Sequence, residues 1–222
     1  MKEFQSQTRN VWGRKLLAGG VAVAPLFYGI SLAQFTREGF DIRRHAISTL
    51  TLGDWGWIQS LNFIVTGLLA ILAAIGFRTV LRGGKGGAWG PWLIGLFGLG
   101  MLLAGLFRPD PGLSFPPGAP DGPPASMSGH AAIHMAAFCL AFFSLVAASL
   151  VLARRFAAQG ERGWSRYCIG SGLAAMVLIL AGMGMGTWVG VLMGIAGLIA
   201  FGWVSLLAGR LSRDYSSIIR NL

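Results

Sequence analysis

The residues of this chain that could carry out chemistry are few and lie in two segments. His130 and His134 are four residues apart, so on a helix they share one face. The other candidates are one carboxylate, one hydroxyl and two guanidinium groups: Asp110, Ser48, Arg43 and Arg44. A histidine pair with a carboxylate is a sufficient ligand set for a catalytic zinc ion. The spacing therefore raises the hypothesis of a metal site.

Three interpretations of these residues are open. In the first, the chain is a metal-dependent, membrane-embedded hydrolase. A zinc ion activates a water, Ser48 or Arg44 holds an anionic substrate group, and the metal ligands are Asp110, His130 and His134. In the second, which we favour, the chain is not an enzyme and needs no cofactor. It binds a lipid head group or a small polar ligand through Arg43, Arg44, Ser48, Asp110 and His134.

The third interpretation is purely structural. Asp110 then pairs with a nearby arginine, the histidines bond to the backbone, and the chain takes no ligand. A transmembrane bis-histidine haem is disfavoured, because two histidines four apart on one helix cannot ligate opposite faces of one iron.

The composition indicates which class of protein carries these residues. The chain is 54% hydrophobic and 12% charged, whereas about a quarter of a soluble domain is charged. This excludes an ordinary soluble protein and a disordered one. The net charge of +10 does not indicate nucleic-acid binding, because the basic residues form short clusters between apolar runs rather than one solvated face. Two cysteines exclude a disulfide scaffold.

Six apolar runs are long enough to cross a hydrocarbon core of about 30 Å as helices. The last apolar stretch, Tyr167–Gly209, is too long for one span, and its glycines predict a turn near Met185–Trp188. The first run is longer than a cleaved signal peptide requires, so we expect it to be retained. The prediction is one all-α integral membrane domain, 1–222, a six-helix bundle with spans at 16–35, 57–79, 89–107, 130–153, 167–185 and 188–209.

The charges predict the orientation of these spans. With the N-terminus in the cytoplasm, most of the 18 basic residues fall on the cytoplasmic side. We therefore expect a multi-pass protein of the cell (inner) membrane with both termini inside, and membrane lipids as partners. The outer segments contain four arginines, balanced by five of the chain's eight acidic residues: Glu38, Asp41, Asp54, Asp110 and Asp121.

Glycine and proline add two further predictions. The 34 glycines include small-residue pairs four apart, which let membrane helices pack closely within one chain or between copies in a homo-oligomer. These are Gly186, Gly190 and Gly194, together with Gly100 and Ala104, and Gly170 and Ala174. A long Pro-rich outer loop, 111–128, separates spans three and four, and we expect its middle, Ser114–Ala125, to be disordered or extended.

The order of the polar residues resembles a known family. An Arg-x-x-x-Ser-x-Leu motif, Arg44 to Leu50, follows the first span, and the later matches are Gly53, Asn62, Phe63, Phe107, Pro109, Asp110, Gly129 and His130 or His134. Over roughly 16–207 the chain resembles the six-span bacterial and archaeal family known only as domain of unknown function nine-nine-eight. The resemblance implies that Ser48, Asp110 and one of the two histidines are signature positions. It implies a topology and a site location, but no reaction.

Overall fold

The protein is an all-helical bundle in the computed structural model, which describes the backbone of residues 2–220 and the side chains of residues 12–213. No strand occurs in that part of the chain. The six long helices are α1 (Lys2–Ala33), α2 (Gly56–Val80), α3 (Trp89–Leu106), α4 (Gly129–Ala158), α5 (Arg162–Gly184) and α6 (Val189–Arg220). Each contains a segment long and apolar enough to cross a membrane. The expected six-span membrane bundle is confirmed.

The helices form a ring in chain order. Each helix packs against the next one, and α6 returns to pack against α1. Because consecutive helices run in alternating directions, the connections 34–55, 107–128 and 185–188 share one end of the bundle, which we call the loop face. The turn that separates α5 from α6 lies at Met185–Trp188, as the sequence predicts.

Small residues bring two of the helix pairs into close contact. A Cβ atom added at Gly98 of α3 would lie 2.7 Å from the carbonyl oxygen of Gly67 on α2. A Cβ at Gly100 would lie 2.7 Å from the carbonyl oxygen of Ala137 on α4. The Gly100–Ala104 pair therefore serves close packing within the chain, as expected for membrane helices. Gly170 on α5, in contrast, has open space around it.

The glycines predicted at a helix–helix contact of α6 have another neighbour. Gly186 precedes α6, so it does not share a helical face with Gly190 and Gly194. A Cβ atom at Gly190 would lie 2.2 Å from the carbonyl oxygen of Ile42 and 2.0 Å from that of His45. The prediction of helix packing was wrong here, because the first connection of the loop face rests directly on the start of α6.

The Pro-rich connection is folded rather than disordered or extended, so the prediction for Ser114–Ala125 was wrong. The backbone N–H of Leu113 donates to Gly122 and that of Ser114 to Pro120, at 2.9 and 2.8 Å. The Ser114 hydroxyl donates to a carboxylate oxygen of Asp121 at 2.7 Å. Phe115 is 1% exposed and anchors the turn. One buried aromatic ring and these local hydrogen bonds offset the entropic cost of ordering the segment.

Candidate functional site

A cavity of 320 Å³ lies inside the half of the bundle next to the loop face. Its wall is almost entirely apolar and comes from all six helices, the first connection, and Pro109 of the second one. No lysine, arginine, aspartate or glutamate lines it among the side chains that the structure describes. The lining residues that matter below are Tyr28, Ser48, Thr49, His134, Met135, Met183 and Met193.

Aromatic rings form the floor of the cavity. The ring of Phe201 on α6 lies 5.1 Å from that of Phe27 on α1 and 5.0 Å from that of Phe97 on α3. Phe142 of α4 stacks on Phe201 at 6.0 Å. These centroid distances are typical of favourable aromatic pairs. The rings join four of the helices without filling the space above them.

The roof of the cavity is a short 3-10 helix, Ile47–Thr51, in the first connection. Ile47 and Leu50 are buried, so the apolar side of this helix covers the mouth of the bundle. The Arg37 guanidinium donates hydrogen bonds to the carbonyl oxygens of Leu50 and Leu52, which fixes the end of the 3-10 helix. Charge-assisted bonds of this kind are stronger than neutral ones.

Arg37 also contacts the Pro-rich connection. Its guanidinium lies 5.3 Å from the centre of the Phe115 ring, in cation–π geometry. Burial lowers the pKa of Arg37, and the Asp54 carboxylate partly opposes that effect. Arg37 thus ties the roof to the second long connection of the loop face.

His45 locks the same two connections together. Its Nδ1 accepts a hydrogen bond from the backbone N–H of Asp41, so its Nε2 carries the proton and donates to the carbonyl oxygen of Leu113. Both bonds are 2.9 Å long. The ring packs between Phe40 and Phe115. Both nitrogens are satisfied, so this histidine has the backbone-bonded role that the structural interpretation gave it.

His134 lines the cavity and is 7% exposed. Its Nδ1 lies 2.8 Å from the carbonyl oxygen of Phe107 and 3.2 Å from that of Ala104. Carbonyl oxygens only accept hydrogen bonds, so Nδ1 carries the proton. In the neutral ring, Nε2 then holds a lone pair, and it has no hydrogen-bond partner among the residues that the structure describes. His134 therefore satisfies carbonyl groups at the end of α3 and retains one free acceptor.

The other polar groups of the cavity wall are mostly occupied. The Tyr28 hydroxyl donates to the carbonyl oxygen of Gly194 at 2.7 Å. The Thr49 hydroxyl donates to the carbonyl oxygen of Ala46 at 2.8 Å. The Ser48 hydroxyl makes no hydrogen bond within the described residues, although its backbone carbonyl accepts one from Thr51. Tyr28 and Thr49 keep only acceptor capacity on their hydroxyl oxygens, whereas the Ser48 hydroxyl and Nε2 of His134 make no hydrogen bond within the described residues.

The structure does not bring the two predicted arginines to this cavity. Arg43 forms an ion pair with Asp41 at 2.8 Å, and both side chains are solvent-accessible. Hydrogen bonds from Arg43 lower the pKa of Asp41 to about 2. Arg44 is exposed and is not part of the cavity wall. Two residues apart, Asp41 and Arg43 form a local contact that keeps the guanidinium in solvent.

Asp110 and His130 also lie outside the cavity wall. Asp110 accepts a hydrogen bond from the backbone N–H of Ser128 at 2.8 Å, at the start of α4. Hydrogen bonds from the hydroxyl and backbone of Ser128 hold the pKa of Asp110 below its usual range. His130 is exposed, and its ring packs on Phe107 at 5.3 Å. Asp110 therefore binds Ser128 rather than an arginine, which corrects the pairing that the structural interpretation expected.

The three predicted metal ligands are not assembled. Among residues 12–213, no group of three or more histidine, cysteine, aspartate or glutamate side chains is placed to hold a metal ion. Asp110 serves the start of α4, and His134 uses Nδ1 for the end of α3. Of the predicted site residues, only Ser48 and His134 share the cavity.

Sequence reasoning missed Tyr28 and Arg37, and it missed Ser31 and Gln59 of a buried polar cluster between α1 and α2, of which it identified only Asn62. In that cluster Gln59 donates to the Ser31 hydroxyl at 2.9 Å, and Asn62 donates to the carbonyl oxygen of Phe27 at 3.0 Å. One signal was available: Gln59, which is fully buried, and Asn62 are three apart on one helical face. No such signal marks Arg37, whose partners depend on how the loops fold.

Comparison with known proteins adds the family but no activity. No curated protein and no solved structure matches the chain significantly. One family model, described as "Protein of unknown function (DUF998)", matches residues 17–210. That match covers most or all of each of the six spans, the roof of the cavity, and Ser48 and His134 of its wall. The chain is therefore an integral membrane protein of the DUF998 family.

Proposed function

We propose that this protein binds the hydrocarbon chain of a membrane lipid in the cavity beneath the loop face. The observation that carries the proposal is the cavity itself, 320 Å³ with an almost wholly apolar wall. Ligand pockets typically measure about 300–1,000 Å³ and are mostly apolar with a few placed polar groups. The cavity meets that description, with the side chains of Tyr28, Ser48, Thr49 and His134 as its polar groups.

The ligand reaches the cavity from the bilayer rather than from water. Met135 and Met183 line the cavity and are also exposed on the side of the bundle, at 44% and 59%. In a membrane that side faces lipid, so the two methionines border a lateral opening. Methionine side chains are flexible and adapt to different apolar partners. The 3-10 helix Ile47–Thr51 covers the route from the aqueous side.

The loop face belongs on the outside of the cell membrane, with both termini in the cytoplasm. The support is the charge distribution: the loop-face connections balance their arginines with carboxylates, whereas the other end is strongly basic. Ala125→Cys and Ala158→Cys replace exposed alanines at opposite ends of the bundle. In intact cells an impermeant maleimide should label Ala125→Cys and spare Ala158→Cys. The reverse pattern would refute this orientation.

Lipid binding is tested by filling the cavity. Met193→Trp places a large ring in the cavity, and Ile195→Trp places the same ring on the exposed side of the same helix. The proteins are purified in lipid nanodiscs, stripped with detergent, and the retained lipid is identified by mass spectrometry. Wild type and Ile195→Trp should retain an equimolar lipid, and Met193→Trp should lose it. Equal retention by both variants, or no retained lipid in wild type, would refute the proposal.

A further inference from the structure

We infer that the ligand of this cavity is an uncharged lipid with a free hydroxyl group, which donates its hydrogen bond to Nε2 of His134. The inference rests on the proposed lipid binding and adds the chemical class of the ligand. A long-chain alcohol, a glyceride and a sterol all present this chemistry. The observation behind it is that His134, with an unused acceptor at Nε2, and Ser48, with an unused hydroxyl, line the same cavity, and that no charged side chain among residues 12–213 lines it.

The hydrogen bonds already made within the wall leave a ligand mostly acceptor groups and a single free hydroxyl proton, that of Ser48. Tyr28 and Thr49 have already donated their hydroxyl protons to backbone carbonyls. The Nδ1 proton of His134 is engaged by the end of α3. What remains is the lone pair on Nε2, the hydroxyl of Ser48, and the acceptor lone pairs of the Tyr28 and Thr49 oxygens. A ligand hydroxyl can donate to Nε2 of His134 and can also accept from the Ser48 hydroxyl, whereas an alkyl chain can do neither.

Charge points to the same class of ligand. No basic or acidic side chain among residues 12–213 lines the cavity, so a phosphate or carboxylate placed there would have no counter-ion. Burying an ion without a partner is far more costly than burying a hydrogen-bonded hydroxyl. Arg43, one of the two arginines assigned to the site from the sequence, is paired with Asp41 in solvent. An anionic head group therefore does not fit the cavity.

The roof keeps the polar end of the ligand inside. Ser48 lies on the 3-10 helix that covers the cavity mouth, and His134 is almost fully buried on α4. Arg37 and His45 hold that roof through backbone carbonyls of both long connections. A head group that extended through the roof into water would have to displace these contacts. A hydroxyl can be enclosed without displacing them.

The test uses four photoreactive probes that share a twelve-carbon chain and a mid-chain diazirine. They end in a hydroxyl, a methyl, a carboxylate and a phosphate group. The full-length protein in phosphatidylcholine nanodiscs is titrated with each probe at pH 8, and labelling of α4 and α6 peptides is quantified. We expect the alcohol to bind roughly threefold to tenfold more tightly than the alkane, the worth of one hydrogen bond. The two anions should bind more weakly than the alkane.

Two variants distinguish the loss of a hydrogen-bonding group in the cavity from a loss of folding. In His134→Asn the amide nitrogen can take the place of Nδ1 and keep the bonds to Ala104 and Phe107, but no acceptor remains at the position of Nε2. His134→Asn should bind the alcohol only as tightly as the alkane, with alkane affinity unchanged. Ser48→Ala removes the second group without touching α3, and it should weaken alcohol binding alone. This second variant preserves the test if His134→Asn does not fold.

The outcomes distinguish the two proposals. If no probe labels the cavity helices, and Met193→Trp changes nothing, lipid binding itself is refuted. If the alkane binds in wild type but the alcohol binds no more tightly, the hydroxyl inference is overturned while lipid binding stands. Tighter binding of either anion would also overturn it. Alcohol selectivity that is lost in His134→Asn or Ser48→Ala supports it.

Discussion

The contact between the first connection and α6 gives the sharpest prediction about the fold. Gly190→Ala adds one methyl group where the structure has no room for it. The new Cβ would lie 2.0 Å from the carbonyl oxygen of His45 and 2.2 Å from that of Ile42. Both neighbours are backbone atoms, so no side-chain rotation can relieve the clash. The connection that carries the roof of the cavity must move.

The size of the effect follows from these distances. Ordinary contacts of a Cβ begin near 3.4 Å, so the loop backbone has to retreat by roughly 1 Å or more, which is a severe case of overpacking. Overpacking typically costs about 1–3 kcal/mol. At ~2–4 °C per kcal/mol for a chain of this length, the apparent Tm should fall by between about 2 and 12 °C.

The assay is thermal unfolding in detergent, followed by the loss of the monodisperse peak. Two glycines on the same helix provide matched controls. Gly202 has nothing within 4 Å of an added Cβ, and Gly194 meets only the Cδ1 atom of Ile47 at 3.6 Å, an ordinary contact. Gly202→Ala should leave the apparent Tm unchanged or raise it, since alanine favours the helix by roughly 0.5–1 kcal/mol. Gly194→Ala should have the same effect on the apparent Tm as Gly202→Ala.

An unchanged apparent Tm in Gly190→Ala would show that the first connection does not rest on α6. Equal destabilisation by Gly190→Ala and Gly202→Ala would attribute the effect to the helix rather than to the loop. Either result would remove the physical basis for a fixed roof over the cavity.

Three further predictions concern the loop face. Arg37→Lys loses the fork that binds the Leu50 and Leu52 carbonyls and should cost about 1.5–3 kcal/mol of stability in the same assay, whereas the exposed Arg43→Lys should cost little. The pKa of Asp41 is about 2, below its value in an unfolded chain, so its stabilising effect is present above pH ~4 and is lost as the pH falls towards 2. The apparent Tm of wild type should therefore fall more steeply over that range than that of Asp41→Asn. Phe115→Ala removes a fully buried ring, should cost about 3–5 kcal/mol, and should make the Pro-rich connection sensitive to limited proteolysis while α5 stays resistant.

The spans were predictable because their signal is local. A run of apolar residues of the right length has few alternatives to a membrane helix, and glycines mark the turn at Met185–Trp188. The contacts of the loop face were not predictable in this way. His45 bonds to Leu113, which is 68 residues away, and nothing in either segment specifies the other. The Pro-rich segment looked disordered because the burial of Phe115 depends on a partner connection.

The candidate site was half predictable for the same reason. Ser48 and His134 were identified from their residue types, and the cavity includes both. Arg43 and Asp110 were assigned to the site because their charges suggested it, but each finds a partner elsewhere: Arg43 the carboxylate of Asp41, and Asp110 the N–H of Ser128. A carboxylate at a helix start has a ready partner in the unpaired N–H groups there. Ser128 stands directly before α4 and is a residue type that commonly begins helices, so the sequence did indicate a helix start close to Asp110.

His134 links folding of the bundle to the chemistry of its cavity. The carbonyl groups at the end of α3 need donors, and Nδ1 of His134 supplies one to Phe107 and Ala104. Because that bond fixes the proton on Nδ1, the same contact leaves Nε2 as an acceptor. A lysine or arginine could also satisfy the carbonyls, but it would bring a charge and no acceptor to an apolar wall. Histidine meets both requirements: Nδ1 donates to the carbonyl groups at the end of α3, and Nε2 stays a neutral acceptor for a ligand.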